Sequence, residues 1–128
     1  MIGEGILALL MLLNNFMHDF SAAGWIFGGI AIYRVLRNQP AQTRVDRSVT
    51  EVLKVMRGVM QFCLFGIVFF GIIRTVGYKT YEWSELAGDS QVTLLIVKHI
   101  FFTVIFIVGL VYYMKAGKLL QKVVDERE

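Results

Sequence analysis

The chain has 128 residues, 56% of them apolar, with 13 Lys and Arg against 10 Asp and Glu for a net charge of +3. A mean hydropathy of +0.61 excludes an ordinary water-soluble domain. The basic residues flank apolar blocks instead of gathering into a patch, so the charge signals membrane topology and no nucleic-acid partner. A single transmembrane domain over residues 1–128 is the expected organisation. The fold class expected is an all-α integral membrane protein with three transmembrane helices, residing in a bacterial inner membrane.

The first apolar block runs from about Ile6 to Tyr33 and ends at Arg34 and Arg37. At 1.5 Å per residue it is roughly 42 Å long, more than a hydrocarbon core requires, so its first turns should project or tilt. It lacks the basic start and cleavage site of a signal peptide and reads as a retained helix. The connection over 34–57 carries Arg34, Arg37, Arg44, Arg47, Lys54 and Arg57 against Asp46 and Glu51. Pro40 falls here, where it breaks no span. "VDRSVTEVLKVMR" reads as a helix feeding the second span, with Ser48 or Thr50 as its N-cap.

The second span lies over about 57–74 and holds Cys63, the lone cysteine, expected to be a small buried hydrophobe. The following connection has Arg74 and Lys79 against Glu82, Glu85 and Asp89, with Tyr78, Tyr81 and Trp83 as interfacial aromatics. The third span covers about 92–114 and closes with Lys115 and Lys118. The excess of cations in the first connection and the tail places both in the cytoplasm, the N-terminus outside and the C-terminus inside.

The chain has two histidines, His18 in the first span and His99 in the third. With three spans these helices run the same way, and each histidine precedes its basic boundary (Arg34 or Lys115) by sixteen residues, roughly 24 Å of helix. Level imidazoles on neighbouring helices suit bis-histidine ligation of one haem b iron, whose axial ligands come from opposite sides. Ser21, Ala22, Trp25 and Gly29 share the His18 face, while Phe102, Thr103 and Phe106 follow His99. Arg74 and Lys98 are placed to pair with propionates, and Asn14, Asn15 or Thr103 to orient an imidazole. The competing reading is a metal-free bundle in which polar residues act as packing glue, with Asp19 paired to Lys98. Copper finds only Met11 and Met17 near His18, and zinc wants more ligands than are visible.

His18, Trp25, Gly28 and Arg34 also form H-x6-W-x2-G-x5-R. This pattern resembles the first helix of the HemJ-type membrane protoporphyrinogen oxidases, and Trp25 to Gly29 is similar to the W-x-G-G of CopD-like membrane proteins. The resemblance covers about half the chain, including the basic loop, the glycine-bearing second span and Lys98. It implies a b-type haem on His18, with Trp25, Gly28 and Gly29 beside it; His99 is assigned by depth alone. The function expected is a small b-type cytochrome passing electrons between a quinone pool and a partner on the outer side. The alternatives are a HemJ-type oxidase and a metal-free structural or copper-handling protein. Ala22, Ala23, Gly24, Gly28, Gly29, Gly66 and Gly71 present small faces, from which a homodimer or a place in a larger redox complex is expected.

The orientation is directly testable. In a Cys63→Ala background, Gln42→Cys is expected to react with a membrane-impermeant thiol reagent from the cytoplasmic side only. Reaction from outside would reverse the topology.

Overall fold

The computed structural model describes residues 2–38, 46–83, 85–86 and 88–125; Pro40, Gln42 and Arg44 lie outside them. These residues form three helices, α1 (Ile2–Arg37), α2 (Arg47–Tyr81) and α3 (Gly88–Asp125). Each is long and apolar enough to cross a membrane. A continuous helix pairs its backbone N–H and C=O groups within itself, the requirement hydrocarbon imposes on a spanning segment. The sole proline lies between α1 and α2, so no helix is interrupted.

The helices outrun the apolar blocks at both ends. The stretch expected as a helix feeding the second span is the first part of α2 itself, continuous with the span. The expected caps are corrected: Asp46 is the N-cap residue, and its side chain makes no capping hydrogen bond. Ser48 lies inside the first turn, and the Thr50 hydroxyl donates to the Asp46 carbonyl at 3.1 Å. At the far end of α2, the Glu82 and Trp83 N–H groups both donate to the Tyr78 carbonyl and finish the helix. Gly88 opens α3 at φ +49°, a conformation that favours glycine.

α1 and α2 pack antiparallel through small residues. Gly24 faces Cys63, Gly28 faces Met60, Gly66 faces Ser21, Gly71 faces His18 and Gly77 faces Met11. Cys63 is buried, as its setting among apolar residues implied. The small residues expected to form a surface for another chain are therefore largely used inside this one. α3 runs parallel to α1 and docks on it through Gly29 against Gly109, Trp25 stacked on Phe106 at 4.7 Å, and Tyr33 edge-on to Tyr112 at 5.2 Å. α2 and α3 touch each other least.

The core consists of Trp25, Ile32, Leu53, Met60, Cys63, Ala116 and Leu120, in the half of the bundle that carries the basic ends. The outward surface is apolar: Phe62 is 71% exposed and Leu12 66%. Such faces would be a liability in water, and they are consistent with an integral membrane protein in contact with lipid.

A side chain at Gly28 would begin 2.5 Å from the Met60 Cγ. Gly28→Leu is therefore expected to overpack the α1–α2 seam and cost about 1–3 kcal/mol. Denaturant unfolding of the purified protein in detergent would measure it, and unchanged stability would show that the seam yields freely.

Candidate functional site

In the half of the bundle away from the basic ends, α3 diverges from α2 and leaves a cleft of about 1410 Å³ with α1 at its back. His18, Asp19, Ala22, Ala23 and Trp25 contribute from α1; Gly71, Arg74 and Tyr78 from α2; Lys98, His99, Phe102, Thr103 and Phe106 from α3. Most of the wall is aliphatic or aromatic, with the ionisable groups gathered at one level. The volume exceeds the roughly 300–1,000 Å³ of common ligand pockets.

The contacts Asp19–Lys98, Trp25–Phe106, Gly29–Gly109 and Tyr33–Tyr112 set each α1 residue against the α3 residue 79 to 81 positions later. His18 and His99 stand in the same relation, so the two imidazoles lie level. In His99, Nδ1 is 2.6 Å from the Leu95 carbonyl; in His18, Nδ1 is 3.3 Å from an Asp19 carboxylate oxygen. Both oxygens can only accept, so Nδ1 carries the proton in each ring and Nε2 of a neutral imidazole keeps its lone pair. Neither Nε2 has a hydrogen-bond partner among the described residues. The His18 Nε2 edge lies against Gly71, where a Cβ would sit 3.2 Å away, so glycine makes the room that the ring occupies.

Asp19 is the hub of the charged groups. Arg74 Nη1 donates to its carboxylate at 2.9 Å and Lys98 Nζ lies 3.9 Å away, so one α1 carboxylate joins all three helices. Arg74 also grips Glu82 with Nε at 2.9 and 3.2 Å and Nη2 at 2.9 Å. Charges inside an apolar span are retained only when paired, and each of these is. The Gln91 side-chain amide donates to the Glu82 carbonyl at 2.7 Å and ties the start of α3 to this turn.

The residues expected at the site are therefore only partly assembled here. His18, His99, Trp25, Arg74 and Lys98 all line the cleft. Gly28 and Gly29 do not; they face Met60 and Gly109 in the helix seams. Trp25 is buried, stacked on Phe106 and Tyr113 of α3, with its Nε1 against Gly109 and without an acceptor among the described residues. The expected orienting partners are also corrected. Asn14 donates to the Phe70 carbonyl at 3.0 Å, Asn15 Oδ1 is buried without a partner among the described residues, and Thr103 donates to the His99 carbonyl at 2.7 Å. Glu82 and Tyr78 were missed. Glu82 lies two turns after Arg74, a spacing that a helix running past its apolar block would have revealed; the buried Tyr78 hydroxyl, which has no hydrogen-bond partner among the described residues, left no such signal.

No group of three or more His, Cys, Asp or Glu side chains able to hold a metal ion occurs among the described residues. The site is thus a two-histidine cleft with an ion-paired rim. No family model, no curated protein and no solved structure matches the chain.

Arg74→Gln removes ties to both Asp19 and Glu82 and is expected to destabilise the protein by about 2 kcal/mol. Lys98→Gln, losing one longer contact on a more exposed side chain, should cost less than half of that. Denaturant unfolding of both variants checks the order, and a larger effect at Lys98 would show that the hub is misassigned.

Proposed function

We propose that the protein is a small b-type cytochrome subunit of a bacterial inner membrane, with His18 and His99 as the axial ligands of one haem. The observation that carries this reading is two level imidazoles on one apolar cleft, each with Nδ1 engaged and Nε2 unpartnered. A histidine whose Nδ1–H is held by an oxygen acceptor is oriented in the way metal-ligating histidines are. The cleft volume and the small Ala22 and Ala23 leave room for a flat, largely apolar group.

A haem held here by His18 and His99 would supply one-electron transfer. The chain's own contribution is to hold the imidazoles level and to place cations at the rim. Lys98 is the freer of these for a propionate, because Arg74 already grips Glu82 at three donor–acceptor contacts. The cleft is exposed between α2 and α3, which favours a second copy or another subunit to close it and gives a quinone access from lipid. With the basic ends in the cytoplasm, the site lies in the outer half of the membrane and serves a partner on that side. The resemblance to HemJ-type oxidases is compatible with the same haem, with protoporphyrinogen as the electron donor.

A second reading has its own support. Asp19 joined to Arg74 and Lys98 is what a metal-free bundle would use as polar glue between helices.

Protein purified from haem-replete cells is expected to show a low-spin reduced-minus-oxidised spectrum. His18→Ala and His99→Ala should each abolish it while the protein stays in the membrane. An unchanged spectrum in His99→Ala would move the second ligand elsewhere, and a colourless wild-type protein would leave the metal-free bundle as the reading.

A further inference from the structure

The opposite end of the bundle holds a cation that the cleft does not explain. Arg57 lies on α2 at the boundary where the polar first turns give way to the apolar span. Seventeen residues, about 25 Å of helix, separate it from Arg74, close to the roughly 30 Å thickness of a hydrocarbon core. Its guanidinium lies 4.5 Å above the Tyr113 ring of α3. One turn further along α3, Gly117 meets the same group: a Cβ there would be 3.1 Å from Cζ and Nη2. The guanidinium is therefore packed between an aromatic face and a bare backbone, and its plane is fixed. Gln61 donates to the Tyr113 hydroxyl at 2.6 Å and holds the ring.

Arg57 has no hydrogen-bond acceptor among the described residues. Its Nε is buried without a hydrogen-bond partner, and no carboxylate pairs with it among the described residues. Glu51, the nearest acidic residue before it on α2, is engaged by Arg47 at 3.1 Å. A half-buried guanidinium without an anion is costly, and the residue is always charged. Other cations toward this end likewise have no carboxylate partner among the described residues: Lys54 one turn away on α2, Arg34 at the end of α1, and Lys115 and Lys118 on α3. Lys115 instead lies 5.3 Å from the Tyr112 ring. An anion missing at this depth is one that the membrane itself carries.

We propose that Arg57, held between Tyr113 and Gly117, binds the phosphate of an anionic phospholipid at the basic boundary of the bundle. The planar guanidinium offers paired N–H donors to phosphate oxygens, which a lysine ammonium cannot reproduce. The surrounding lysines and arginines favour a lipid of net negative charge over a zwitterionic one. The site is independent of any haem, since it lies at the other end of α2 from the histidine cleft.

The test is native mass spectrometry of the protein in mild detergent with an equimolar mixture of phosphatidylglycerol and phosphatidylcholine. Wild type should retain phosphatidylglycerol preferentially. Arg57→Gln should lower that preference about fivefold, the effect of one cation close to the surface. Lys118→Gln, a solvated neighbour, should lower it less. Gly117→Ala, whose methyl would displace the guanidinium, should act in the same direction as Arg57→Gln and decides the matter if that variant does not assemble. Equal retention of the two lipids by wild type, or an unchanged preference in both Arg57→Gln and Gly117→Ala, overturns the proposal. Complete displacement of the lipid by excess inorganic phosphate also overturns it, because the site would then read a free ion.

Discussion

With glycines at positions 24, 28, 66, 71 and 77, α1 and α2 approach each other more closely than larger residues would permit, and the remaining architecture adjusts to that seam. The bilayer gives helices little hydrophobic reason to associate, so close van der Waals contact and interhelical hydrogen bonds must hold them. Each glycine receives one side chain from the facing helix: Cys63, Met60, Ser21, His18 or Met11. α3 has no comparable seam with α2. It is held to α1 by Trp25 on Phe106, Tyr33 on Tyr112 and the Gly29–Gly109 contact, all toward the basic end. Two helices packed along a glycine seam, and a third held by close packing in one half but only by polar contacts such as Asp19–Lys98 and Gln91–Glu82 in the other, leave a cleft in that other half.

The charged groups at that cleft follow the same economy of contacts. A lone carboxylate in an apolar span would be prohibitive, but Asp19 has a cation from each neighbouring helix. It also receives the Nδ1–H of His18, which fixes the tautomer of a ring whose other edge rests on Gly71. One carboxylate thus joins the helices, pairs with two cations (Glu82 supplying the second negative charge) and orients an imidazole. His99 needs no such partner, because the carbonyl four residues earlier in its own helix accepts its proton. The two histidines reach the same state by different means.

The two ends of the bundle satisfy their cations in contrasting ways. Near the cleft, arginine and lysine are matched by carboxylates from the chain. At the basic end, Arg57, Arg37 and Lys115 rest on the rings of Tyr113, Tyr33 and Tyr112, which partly offset the loss of water without supplying a negative charge. That asymmetry fits a protein whose basic ends meet an anionic surface.

Much of this molecule was legible in its residues. Three apolar blocks bounded by cations determine three long helices, because hydrocarbon permits a spanning chain no other open form than the helix. Helix rise alone placed His18 and His99 level, and the parallel register of α1 and α3 agrees, since rise per residue is a local property. Which way a side chain faces around the helix is not local. The small residues of α1 looked equally suited to another chain, and only the packed structure turns Gly24 and Gly28 toward Cys63 and Met60. Arg74 looked free for a ligand until the chain reversal at Glu82 returned a carboxylate to it, and Asn14 looked like a partner for histidine until α2 brought up the Phe70 carbonyl. Composition and periodicity determined the helices; tertiary structure alone decided which polar group meets which, because those contacts depend on rotation about each helix axis and on where the connections bring distant residues together.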